Sequence, residues 1–135
     1  MHLQTGEYRS SAAVFAFRQP LSSRFPPDRE GYVFAGLDVR VCLDKGPGPS
    51  TVSWEPWSLT YPDDTTIDPV NSWSDDWFTV PLFPGAGFEK TLRPGRCMRG
   101  WVLFEVPKGK RPSLAEYAPT DLDGERITDG PSWKL

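Results

Sequence analysis

Proline and glycine divide this chain into runs too short for long helices. Its 15 prolines and 12 glycines recur between brief apolar stretches, a pattern that calls for many short strands joined by turns. The most legible run is YVFAGLDVRVCLD, from Tyr32 to Asp44. Val33, Ala35, Leu37, Val39 and Val41 share one parity and are expected to face a core, opposite Gly36, Asp38, Arg40 and Cys42. Phe34 breaks the alternation at the start.

The run CMRGWVLFEV, Cys97 to Val106, follows the Pro94-Gly95 turn and stops at Pro107. Met98, Gly100, Val102, Phe104 and Val106 lie on one phase; Cys97, Arg99, Trp101, Leu103 and Glu105 lie on the other. Further strands are expected within Glu7–Arg18, Thr51–Pro62, Phe78–Val80, Phe88–Leu92, Ser113–Tyr117 and Ile127–Leu135. Pro56 cannot donate to a central ladder, so Thr51–Pro62 should carry a bulge or lie at an edge. The segment Leu21–Gly31 reads as a mobile surface loop. Seven to nine short strands at this spacing predict an all-β, two-sheet antiparallel sandwich. The 135 residues suit one domain, 1–135, with residues 1–8 and 120–126 expected to be mobile.

The net charge of −3 and isoelectric point near 5.1 provide no global positive field, which argues against nucleic acid as a partner. No stretch approaches the roughly 20 apolar residues of a membrane helix. The N-terminus lacks the basic-then-apolar order of a signal peptide, so for an exported protein the targeting segment is expected outside this sequence.

These residues also resemble a known family. AGLDVRVC (Ala35–Cys42), WSLTYPD (Trp57–Asp63), LRPGRCMRGWVLFEVP (Leu92–Pro107) and LAEYAP (Leu114–Pro119) are similar to the bacterial telokin-like immunoglobulin-fold domains. Those domains occur in exported proteins and lipoproteins of Gram-positive bacteria, actinomycetes especially. The similarity runs from about Val33 to Pro119. Its most distinctive part is Pro94-Gly95 followed by Gly100, Phe104, Val106 and Pro107. It implies an immunoglobulin-like sandwich and an extracellular or cell-envelope location, and it brings no catalytic residues. No cysteine stands near the start to take a lipid, so the resemblance implies no membrane anchor here.

Cys42 and Cys97 admit a disulfide, two free thiols or part of a metal site. A structural zinc site needs about four Cys or His ligands, whereas this chain has two cysteines and one histidine, so no metal or cofactor is expected. Both cysteines lie on the phase opposite their strand's aliphatic residues, unlike ordinary core thiols. That favours a disulfide outside the centre of the sandwich, and with it an oxidising compartment.

Nucleophilic triads need a base positioned by the fold, and the lone histidine, His2, stands in an end expected to fray. Asp63, Asp64, Asp68, Asp75, Asp76, Asp121 and Asp123 read mainly as turn and loop residues, ahead of calcium binding or paired-carboxylate hydrolysis. Trp54, Trp57, Tyr61, Trp73 and Trp77 crowd a short part of the chain. They either close one end of the core or leave an exposed patch for a protein or a glycan. Trp101 and Leu103, on the outward phase, are expected either under a covering segment (Trp133 or the loop after Pro20) or in an association face. The resulting expectation is an exported, non-enzymatic binding module whose candidate surface is Trp54, Trp57, Trp73, Trp77 and Trp101. The partner would be an unknown protein or, in the alternative, a cell-wall glycan.

Overall fold

The computed structural model describes residues 2–5, 7–71, 73, 75–84, 89–119 and 130–135. Among them are ten strands: β1 (His2–Thr5), β2 (Tyr8–Arg18), β3 (Tyr32–Lys45), β4 (Ser50–Ser53), β5 (Trp57–Thr60), β6 (Thr66–Ile67), β7 (Glu89–Leu92), β8 (Arg96–Pro107), β9 (Leu114–Tyr117) and β10 (Ser132–Lys134). The front sheet has the order β1-β2-β3-β8, the back sheet β10-β9-β5-β6, and β4 and β7 form a separate ribbon. Every strand pair is antiparallel. The molecule is an all-β sandwich of the immunoglobulin-like kind.

The alternation in β3 and β8 places their aliphatic faces as expected. Ala35, Leu37, Val39 and Val41 join Val102, Phe104 and Val106 in one buried cluster with Trp57, Leu59, Ala115 and Tyr117 of the back sheet. Trp57 is the pivot of the back sheet, its ring 4.7 Å from Tyr117 and 5.5 Å from Trp133. Strand β2 reaches the same core by a bulge. Ala12 pairs with Val41 and Val14 with Val39, but a register shift between Val14 and Ala16 brings Phe17 opposite Leu37. Even and odd positions thereby both face inward, with Phe15 as the extra residue.

Several expectations are corrected. His2–Thr5, where no strand was expected, pairs with Tyr8–Ser11 as β1. Thr51–Pro62 is not one strand: after β4 the chain turns at residues 54–56, where Trp57 N donates to Trp54 O, and β5 enters the back sheet. Pro56 therefore marks a switch between sheets, consistent with its missing donor. Phe78–Val80 forms only an isolated bridge, Phe78 with Ser23. The strand expected within Ile127–Leu135 is confined to β10 among the described residues, and the expected mobility of 120–126 lies outside them.

The cysteines are direct cross-strand partners in β3 and β8 and form a disulfide, with Cα atoms 4.0 Å apart and a sequence separation of 55. The bond lies on the outer face of the front sheet, as parity required, and not between the sheets. Closing a loop of this length stabilises the fold by about 4 kcal/mol on the chain-entropy account. Denatured, unreduced protein is expected to titrate no free thiols. A Cys42→Ser/Cys97→Ser variant should lose stability of that order in urea unfolding; two thiols per chain in the wild type would refute the pairing.

Tyr117 supplies a pH-dependent contribution to stability. Burial pushes its hydroxyl up from 10.0 to about 12, so the folded state keeps the proton while the unfolded chain releases it. Its contribution is complete below pH 10 and is lost as pH rises toward 12. The urea midpoint should fall across that window, and Tyr117→Phe should flatten the fall.

Candidate functional site

The outer face of the front sheet is covered over one half. Leu21, Phe34, Phe78, Leu82, Trp101 and Leu103 form a second buried cluster, with Val70, Trp73, Trp77 and Val80 packed against it. Phe34, the residue that interrupts the alternation in β3, belongs here, edge-to-face on Phe78 at 5.2 Å. The cover is a layer of loops tied down by backbone hydrogen bonds. Val70 N donates to Leu103 O, Phe83 N to Trp101 O and Trp101 N to Pro81 O, which satisfies the free edge of β8. Leu21 N donates to Phe34 O and Arg24 N to Trp77 O. The loop read as mobile is thus anchored at its start, with Leu21 only 4% exposed.

This layer decides where the candidate tryptophans lie. Trp57 is completely buried in the main core, Trp54 is 9% exposed and Trp101 8%, so these three are withdrawn from any recognition surface. Trp101 is covered by Leu82 and Leu21, with Arg18 stacked on its ring at 5.0 Å. The segment after Pro20 therefore provides the cover, while Trp133 packs against Trp57 on the other side. Trp73 is partly buried between the two cores and packs edge-to-face on Trp54 at 5.9 Å. Trp77 is partly buried as well, and of the five it is the one that supports an exposed aromatic, Phe25, at 5.9 Å.

Two large side chains missing from the expected surface stand out from it. Phe25 is 49% exposed and Phe15 48%. Arg24 lies over the Phe25 ring at 5.4 Å and pairs with Asp76 at 3.8 Å. Phe15, projected by the β2 bulge, is covered by Arg99 at 4.1 Å, with Arg40 at 5.8 Å. Arg99 in turn donates to both oxygens of Asp38, at 3.2 and 2.9 Å. That contact holds the guanidinium above its ordinary range. The Arg24–Phe25–Pro26–Pro27 order was a signal for an exposed aromatic; Phe15 carried none, because only strand pairing creates the bulge.

The remaining candidate chemistry is dispersed. Asp63 Oδ1 accepts from Thr65 N and Thr65 Oγ1 at 3.1 and 2.6 Å, a turn-forming arrangement. These bonds lower its pKa. His2 Nδ1 lies 3.5 Å from Asp44 Oδ2, and Ser11 Oγ donates to Asp44 Oδ1 at 3.3 Å. The serine is thus directed at the carboxylate and not at the imidazole that would activate it. Among the described residues no three His, Cys, Asp or Glu side chains gather as a metal-ligand group, and no helix is long and apolar enough to cross a membrane. Asp121 and Asp123 lie outside the described residues.

No protein-family model matches the chain, and no curated protein matches it. Three solved structures share its fold. A putative lipoprotein of Bacillus subtilis, YcdA, superposes with a TM-score of 0.66 at 16% identity over 99% of this chain. The chain spans only 38% of that protein. MPT63, a secreted protein of Mycobacterium tuberculosis, gives a TM-score of 0.65 at 14% identity, covering 100% of this chain and 92% of that one. The B. subtilis protein YjhA gives 0.56 at 15% identity, with 100% and 96% covered.

Gly100 sets how closely the loop layer approaches β8. A Cβ there would lie 2.9 Å from Phe83 N and 3.0 Å from Phe83 Cα, backbone atoms that cannot yield cheaply. Gly100→Ala should cost about 1–3 kcal/mol in urea unfolding. It should also increase acrylamide quenching of native tryptophan fluorescence as the layer over Trp101 loosens; an unchanged profile would show that the layer is not anchored there.

Proposed function

We propose that this chain is an exported, non-enzymatic recognition module of the telokin-like immunoglobulin type, acting at the cell envelope or outside the cell. A secreted protein and a putative lipoprotein among its structural neighbours support that location. So does the Cys42–Cys97 bond, since disulfides persist in oxidising compartments. The observation that carries the recognition role is the Phe25 platform. A ring 49% exposed is supported by Trp77 beneath it and flanked by the Arg24–Asp76 pair. Aromatic and arginine side chains on loops fixed to a sheet are the groups that dominate protein interfaces.

The partner proposed is a protein; Trp73 and Trp77, both partly buried, support the glycan alternative less well because stacking on a sugar needs an open ring face. Photo-crosslinking from p-benzoylphenylalanine at position 25 against an envelope fraction should yield one discrete protein adduct. Phe25→Ala should weaken binding of that partner by about 2 kcal/mol, and Trp77→Ala should do likewise. Absence of an adduct, together with saturable fluorescence quenching by cell-wall polysaccharide that Trp73→Ala or Trp77→Ala abolishes, would replace the protein reading by the glycan one.

A further inference from the structure

A second feature lies away from the Phe25 platform. A groove of about 390 Å³ runs between the β5–β6 turn and the β8–β9 connection, a volume within the range of small-molecule sites. Tyr61, Pro62, Ile67 and Pro107 line it with mainly apolar surface. Lys110 and Arg111 stand at its rim, both exposed.

Three observations make this more than a crease between loops. First, Tyr61 is only 6% exposed, and its buried Oη has no hydrogen-bond partner among the described residues. A buried hydroxyl without a partner carries a desolvation cost that a ligand acceptor would relieve. Burial raises the pKa of this phenol, as does the neighbouring Tyr32, so it remains a neutral donor near pH 7. Second, the rim charge is unbalanced. Asp63, the one acidic residue in the lining, is already engaged by Thr65 and lies in the field of Lys110. Lys110 and Arg111 against this one carboxylate leave the described lining with a single net positive charge, in a chain of net charge −3. Third, the connection carrying them is held in place. Gln19 Nε2 donates to Lys110 O at 2.6 Å and Lys108 N to Gly31 O at 2.8 Å, and Arg111 stacks over Phe17 at 5.1 Å.

We infer that this groove binds a small amphiphilic anion, with the apolar body against Ile67, Pro62 and Pro107 and the single anionic headgroup facing Lys110 and Arg111. Tyr61 supplies the neutral donor within the groove. The anion is recognised by charge and by the apolar wall together, so neither an inorganic anion nor an uncharged amphiphile satisfies the site.

The test is a ¹H–¹⁵N correlation titration of the full chain with sodium decanoate and, separately, decyl phosphate, each below its micelle concentration. Decanol is the uncharged control. Saturable shifts confined to residues 61–67 and 107–111 are expected with at least one of the two anions, and which one binds identifies the headgroup. Lys110→Gln/Arg111→Gln, at exposed positions that leave the core intact, should weaken binding by about tenfold or more, and Tyr61→Phe by severalfold. Ile67→Trp should block it. Shifts that fail to saturate or that spread over the whole surface would overturn the inference. So would decanol binding as tightly as the anions, or the double variant retaining affinity within about twofold of wild type.

Discussion

The pairing of β3 with β8 is the interaction on which the rest of the molecule depends. Twelve residues of each strand run in unbroken register, from Tyr32 opposite Pro107 to Leu43 opposite Arg96. Both strands carry large apolar side chains on both faces over part of their length, so the pair needs cover on two sides. The back sheet closes one face over Trp57 and Leu59. The loop layer closes the other over Phe34, Trp101 and Leu103. The disulfide staples the two strands at the end of the ladder where this outer cover stops.

That division of the outer face accounts for the candidate functional surfaces. Where the strands present Phe34 and Leu103, the loops must pack down, and their anchored backbone holds Phe25 and Trp77 in a defined relation. Where the strands instead present Asp38, Arg40 and Cys42, the Asp38–Arg99 pair and the disulfide occupy the face, leaving Asp38 and Cys42 buried and Arg99 against the Phe15 ring. Arg40 and Arg99 are direct cross-strand neighbours, a like-charge juxtaposition that is unfavourable by itself. Asp38 offsets it by accepting from Arg99. The groove at Tyr61 arises elsewhere, where the connection from front to back sheet meets the β5–β6 turn.

The aromatic residues show where sequence reasoning reached and where it stopped. Trp54, Trp57, Tyr61, Trp73 and Trp77 crowd a short part of the chain, but crowding does not distinguish a lid over the core from an exposed patch. Trp57 and Trp54 went inward because the switch of sheets at Pro56 carries this part of the chain over the end of the core. Phe15 went outward for the opposite reason: a bulge reverses parity, and no local residue in SSAAVFAF requires one. His2 lies in a short hairpin, where His2–Thr5 pairs with Tyr8–Ser11; neither arm carries a long apolar alternation, so the pairing leaves little trace in the sequence.

By itself the sequence determined the all-β class, the inward faces of β3 and β8, and the outward position of both cysteines. The first follows from the proline and glycine punctuation, and the other two from the two-residue period of strands that run without a bulge. Tertiary structure decided which segments cover the outer face, which tryptophans remain near solvent, and that Tyr61, Lys110 and Arg111 border one groove. Those outcomes depend on contacts between residues distant in the chain, such as Val70 with Leu103 and Pro81 with Trp101. Neither periodicity nor composition carries information about which distant backbone a loop will pair with, because the deciding quantity is the apolar area and hydrogen bonding left unsatisfied once the strands have assembled.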